Sequence, residues 1–204
     1  MKNLIIKSNN EVDDNLLDKV LAFDRTIFPS DEDYAFPDDY LKKIYQNSRD
    51  GIFVLLDNNS VVGYVNSIFL SDKAQEEYLK DRDYLSFESI GINDGDNNMY
   101  LYTLALKEEY RNSGAIKILM QSFANWLVDQ RRKGKRIKSC ISEAISEDGI
   151  RSLSIMGMMP YDIDDSGLGI YYSPDCLESY IEEMIKCHID DENIDIDKQT
   201  TKKL

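Results

Sequence analysis

The chain has 204 residues, enough for one domain with a full core and a short tail. Its 42% hydrophobic and 30% charged residues are ordinary for a globular protein, no apolar run approaches a membrane span, and the start, MKNLIIKSNNE, is too short and polar for a secretory signal. A net charge of −14 argues against nucleic acid as a partner, while three scattered cysteines (Cys140, Cys176, Cys187) and one histidine, His188, argue against zinc, disulfides and histidine-based nucleophilic catalysis, so a reducing cytoplasm is the expected setting.

The spacing predicts a short strand over Lys2 to Lys7. A helix capped by Asp13 or Asp14 follows to about Phe28, with Leu16, Leu17, Val20, Leu21, Ile27 and Phe28 at helical spacing. Pro29 and Ser30 end it. Asp31, Glu32, Asp33, Tyr34 and Phe36 then form an acidic, aromatic loop, and a second helix is expected from Asp38 to Asn47. Gly51 to Asp57 and Ser60 to Leu70 read as a hairpin around Asn58-Asn59. Ser71 to Arg82 reads as a polar helix and Tyr84 to Ile92 as a looser apolar piece. Asp94, Asp96 and Asn98 start like a calcium loop, but Met99 and Ala105 stand where its glycine and closing glutamate belong, so a turn is expected there.

Leu101 to Leu106 is a strand, Lys107 to Ser113 a polar turn, and from Gly114 a helix presents Ile116, Leu119, Met120, Phe123, Trp126 and Leu127 on one face. Such a turn exposes backbone N–H groups at a helix N-terminus, where the dipole favours an anion. Lys107 to Lys138 holds nine basic residues against three acidic, in a chain that carries −20 elsewhere. That cluster suits the helix C-terminus, through Arg131, Arg132 and Lys133, and Arg111 and Lys117 can also attract a polyanion. Arg136 to Ser142 is a further strand, Ser146 to Gly157 a helix, and Leu168 to Tyr172 a late strand. A helix from Pro174 to about His188 and a disordered tail from residue 189 complete the chain, read as one mixed α/β unit over 1–188.

Leu104-Ala105-Leu106 followed by Glu109-Tyr110-Arg111-Asn112-Ser113-Gly114-Ala115 resembles motif A of the GNAT N-acetyltransferase superfamily, and Val61-Val62-Gly63-Tyr64 is similar to the V-G-Y feature of its preceding hairpin. The resemblance implies a central mixed sheet with a splayed strand pair, flanked by helices, and transfer of acetyl from acetyl-CoA to a primary amine by direct attack. It implies that Leu104, Ala105 and Leu106 offer strand backbone to the pantetheine arm. Arg111, Asn112, Ser113, Gly114, Ala115 and Ile116 are then expected to offer amides to the diphosphate, with Lys117 and Ser146 beside it. Two departures stand out. Ile116 fills the last Gly/Ala slot of the motif, and Leu153 stands where many members carry a tyrosine that protonates the leaving thiolate.

An alkyl amine, with a pKa near ~10, must lose a proton before it attacks. Glu143 is the expected base, and Tyr100 or Tyr102 the expected proton donor. The acidic, tyrosine-rich remainder favours a cationic acceptor, whether small molecule or peptide. The rival expectation is a GNAT-like module that binds CoA with little or no turnover.

Overall fold

A computed structural model describes residues 4–28, 38–80, 90–111 and 113–174. The acidic loop at 31–36, most of the piece at 84–92, Asn112, and the expected C-terminal helix and tail lie outside the described residues. Strands are β1 Leu4–Ser8, β2 Ile52–Asp57, β3 Ser60–Leu70, β4 Gly95–Leu106, β5 Lys135–Ala144, β6 Met159–Ile163 and β7 Gly169–Pro174. Helices are α1 Asp14–Ile27, α2 Asp38–Asn47, α3 Asp72–Lys80, α4 Ala115–Arg132 and α5 Glu147–Ile155.

The strands form one seven-stranded sheet in the order β1-β2-β3-β4-β5-β7-β6. Only β4 and β5 run parallel, because α4 carries the chain back between them; the other neighbours are antiparallel. Asn58 and Asn59 both take positive φ, 48° and 64°, as a two-residue hairpin turn that matches strand twist requires. Asp13 caps α1, its carboxylate accepting from the Leu16 N–H at 2.8 Å.

Both faces of the sheet are covered, so β2 and β3 are buried almost throughout. On one face Leu119, Met120, Phe123, Trp126 and Leu127 of α4, with Leu153 of α5, pack on Phe53, Leu55, Val65, Phe69 and Leu101. On the other, α1, α2 and α3 pack on Ile52, Val54, Tyr64, Ile68, Tyr100 and Ile141. The alternation of β2 decides which side chain goes where: Phe53 and Leu55 meet α4, and Ile52, Val54 and Leu56 meet α1 and α2.

Three boundaries differ from expectation. β4 starts at Gly95 rather than Leu101, because Asn97 is absorbed into the sheet by its own side-chain bonds to the Asn93 and Gly95 carbonyls, both 2.9 Å. β6 was not expected, and it contains Pro160, which lacks the N–H a ladder uses. It is tolerated because β6 is the outermost strand of the sheet. β7 runs on to Pro174, past the expected end at Tyr172. No helix among the described residues is long and apolar enough to cross a membrane.

Phe123 is 1% exposed and meets Phe53 edge-on at 5.7 Å. Phe123→Ala is expected to cost about 3–5 kcal/mol in urea unfolding. Ile118→Ala, on the exposed side of the same helix, should stay within about 0.5 kcal/mol of the parent.

Candidate active site: a fork between two parallel strands

β4 and β5 stay paired up to Leu101 opposite Ser142. Beyond that point β4 keeps only β3, through Thr103 to Leu106, and β5 keeps only β7, through Glu143 and Ala144. The parting coincides with a bulge: Asn66 and Ser67 of β3 face Thr103 and Leu101, so Tyr102 is an extra residue on β4. The Ser142 hydroxyl donates to the Leu101 carbonyl at 2.8 Å and closes the base of the fork. Gly63 lets β3 approach β4 closely here, since a Cβ on it would lie 2.6 Å from Leu106 and 2.9 Å from the Ala105 carbonyl.

The turn after β4 leads to the N-terminus of α4. Gly114 caps that helix at φ 79°, a left-handed conformation suited to glycine, with open space where a Cβ would stand. Helical geometry leaves the first-turn N–H groups, those of Ala115 and Ile116 among them, without partners inside the helix. The Ile116 side chain is partly buried and packs against the α4 core cluster. The Arg111 and Ser113 amides, expected to face a ligand, are turned inward instead, to the Glu108 and Tyr110 carbonyls at 3.1 Å each. The Ser113 hydroxyl also donates to Tyr110. The Arg111 guanidinium reaches Asp148 of α5 at 2.9 Å, an exposed pair worth about 0–1 kcal/mol. Lys117 is exposed, and Ser146 caps α5, accepting from the Gly149 N–H at 3.1 Å.

A family profile described as "Acetyltransferase (GNAT) family" matches residues 17–150, well over half the chain. The chain belongs to the GNAT acetyltransferase family. No curated protein matches it by sequence. Among solved structures it is similar to Arabidopsis thaliana Naa50 in complex with a bisubstrate analogue, CoA-Ac-MVNAL, at 15% identity and TM-score 0.54, covering 83% of this chain and 97% of that one. It is also similar to the Drosophila melanogaster polyamine N-acetyltransferase that forms N-acetylagmatine, at 13% identity and TM-score 0.56, covering 84% and 100%. Arabidopsis thaliana NAA60 in complex with acetyl-CoA gives 17% identity, TM-score 0.53 and coverage of 83% and 97%.

In this GNAT acetyltransferase Tyr45, Tyr64, Tyr78, Tyr100 and Tyr102 gather on the α1–α2 face of the sheet, while Tyr110 and Tyr171 belong to the α4–α5 side. Tyr100 lies below the parting, 5% exposed, its hydroxyl 2.7 Å from that of Tyr78; burial and that neighbour hold its pKa well above the ordinary value. It is a packed member of the sheet and not a group open to the fork. Tyr102 lies at the parting, half-buried, its ring 5.4 Å from that of Tyr100. Burial, then Tyr45 and Tyr40, keep its phenol protonated. Glu143 is exposed, one residue past the last β4–β5 pair. With Asp162 and Asp164 it lines a cleft of about 410 Å³ at the end of β5.

Asp24 of α1 was not singled out from sequence. Its carboxylate accepts the Tyr64 hydroxyl, and the Tyr64 oxygen lies 3.0 Å from that of Tyr45. The signal was present: Asp24 falls on the apolar stripe of α1 in step with Leu17, Val20, Leu21 and Phe28. Burial raises its carboxyl above the ordinary value, against the lowering by Tyr64 and Arg25. The folded state therefore holds this proton more tightly than the unfolded chain, and stability falls as pH rises through that window. Asp24→Asn should remove this slope. Urea midpoints of parent and variant will separate in the variant's favour as pH rises above the ordinary carboxylate range, about 4.

Proposed function

We propose that the protein transfers the acetyl group of acetyl-CoA to a primary amine, on a small molecule or a peptide, by direct attack of the amine. The observation that carries this reading is the fork, with a glycine-capped helix N-terminus at its mouth. Acetyl-CoA, when bound, supplies the activated acyl group. Its diphosphate suits the Gly114 turn, where a Cβ on the glycine would meet open space and where the Gly114, Ala115 and Ile116 amides and the α4 dipole favour negative charge. Lys117 adds charge there; Arg111 and Ser113 hold the turn in shape, and Asn112 belongs to the same loop. The pantetheine arm carries amides, and the unpaired edge of Leu104, Ala105 and Leu106 offers them strand-like pairing.

Glu143 and the acidic cleft beside it suit a cationic acceptor, drawing its ammonium toward the parting. Tyr102, protonated at neutral pH, can donate to the leaving sulfur. Tyr100 supports Tyr102 from below, and Ser146 fixes α5 against the far rim. The peptide analogue on Naa50 and the agmatine product of the fly enzyme support both acceptor classes. We also infer a cytoplasmic setting, which the few, scattered cysteines of the sequence support.

Acetyl-CoA at a hundredfold over its Kd should raise the Tm by about 5–10 °C, from a linkage energy near ~2.7 kcal/mol. Thiol release should follow with at least one of agmatine, spermidine, a lysyl peptide or a Met-Val peptide. No stabilisation at millimolar acetyl-CoA would sink the reading. Stabilisation without thiol release across that panel would establish a CoA-binding module without turnover.

A further inference from the structure

We propose that Tyr110 is a positioning residue for the acyl donor: fastened to Asp57 at the β2–β3 hairpin, it sets the shape of the turn whose amides meet the diphosphate. This rests on the acetyltransferase reading and deepens it, naming what holds that turn ready before the cofactor arrives.

The turn has to be shaped beyond the end of the sheet. β4 ends at Leu106, and the Lys107 N–H adds one more rung with β3, donating to the Val62 carbonyl at 2.9 Å. From there the chain runs to Gly114, the cap of α4. Among the described residues, the first α4 amides to return a backbone bond are those of Lys117 and Ile118, both to the Gly114 carbonyl, at 3.1 and 3.3 Å. The N–H groups ahead of them are the ones offered to an anion, so their direction depends on how the turn is held.

Tyr110 holds it with backbone, ring and hydroxyl together. Its N–H donates to the Lys107 carbonyl at 2.9 Å. Its carbonyl accepts from the Ser113 N–H at 3.1 Å and from the Ser113 hydroxyl at 2.7 Å, which fixes the residue just before Gly114. Its ring is buried in the same cluster as Ala115 and Leu119 of α4. Its hydroxyl donates to Oδ2 of Asp57 at 2.8 Å.

Asp57 is a firm anchor. It is the last residue of β2, paired with Leu4 of β1 on one side and Ser60 of β3 on the other. Its Oδ1 accepts from the Asn58 side-chain amide at 3.0 Å. A carboxylate acceptor makes the Tyr110 bond charge-assisted and stronger than one between neutral groups. Hairpin and turn lie at the same end of the sheet because β3 and β4 are antiparallel, with Gly63 opposite Leu106. Tyr110 touches no reacting atom; it acts through the amides that follow it. A turn that spends a tenth of its time in the binding shape binds about tenfold more weakly, while the thioester end of the donor, at the parting of β4 and β5, is unaffected.

Two measurements test the assignment. Without cofactor, Tyr110→Phe and Asp57→Ala should each speed hydrogen exchange of the Ser113 amide about tenfold by NMR, and leave the Phe123 amide, inside α4, at its parental rate. With agmatine, spermidine or the two peptides as acceptors, both variants should raise the KM for acetyl-CoA about tenfold and hold kcat within about twofold, the pattern of lost ground-state binding. S-acetylpantetheine, which carries the thioester and the arm without the diphosphate, should keep its parental KM in both. Asp57→Asn retains an oxygen acceptor for the hydroxyl and should recover most of what Asp57→Ala loses. The double variant Tyr110→Phe/Asp57→Ala should be no weaker than either single one, since both remove the same bond. An unchanged Ser113 exchange rate overturns the assignment whether or not any acceptor turns over. An equal rise in KM for both donors, the mark of a general loss of structure, overturns it as well, and so do additive losses in the double variant. A parent chain that acetyl-CoA does not stabilise would mean that the acetyltransferase reading has failed, and the exchange rates would still decide the anchor.

Discussion

One extra residue in β4 shapes the functional end of this molecule. A strand inside a sheet is held in register on both sides, and a bulge changes that register on one side relative to the other. Here β3 absorbs the change, pairing Ser67 with Leu101 and Asn66 with Thr103 across the inserted Tyr102. The parallel partner β5 does not, and its last pair with β4 is Leu101 with Ser142. The backbone beyond is freed on the facing edge of β4 without a loop being needed to open the sheet. The Ser142 hydroxyl meets the last carbonyl below the gap, so the opening begins at one defined residue.

The rest of the architecture stiffens the two arms of that fork separately. β4 is held by β3, by the close approach that Gly63 permits, and by α4 packing across β2 and β3 through Phe53, Phe69, Phe123 and Trp126. β5 is held by β7, which is backed in turn by β6, and by α5 beneath it. A rigid gap between two supported arms can be preorganised for a long flexible ligand, which would otherwise have to be ordered at the expense of affinity. The exposed Arg111–Asp148 pair spans the same gap at its rim. Its exposure makes it weak, so it can yield to a ligand at little energetic loss.

Most of the elements were legible because their signals are local. The apolar stripes of α1 and α4, the Asn58-Asn59 turn and the runs of β2 and β3 follow from helical spacing, turn chemistry and burial on two faces. β6 was hidden by Pro160, whose meaning depends on the strand lying at a sheet edge, a fact of topology and not of sequence. The bulge at Tyr102 was hidden for a similar reason, since register exists only between strands. Ile116 looked obstructive as a letter in a motif. As the second residue of a helix it projects toward the core, leaving its amide free of its own side chain. Asp24 is hidden among the apolar members of its helical stripe, which define that stripe without it. A carboxylate in step with them is the kind of local conflict that marks a site.

The two faces of the sheet divide the chemistry between them. On the α4–α5 face the cluster is mostly apolar, its Tyr110 and Tyr171 hydroxyls donating to Asp57 and the Gly167 carbonyl, and Leu153, which takes the place of a tyrosine in the resembling pattern, is 4% exposed within it. It has no proton to give. On the opposite face stand Tyr45, Tyr64, Tyr78, Tyr100 and Tyr102, with Asp24 and Glu143 at the edges. Buried phenols are costly unless their hydroxyls are partnered; here Tyr45 and Tyr64 form a chain that ends on Asp24, and Tyr78 and Tyr100 meet each other. The carboxylate-linked phenol chain of Tyr45, Tyr64 and Asp24 thus lies on the face that α1 and α2 cover, opposite Leu153.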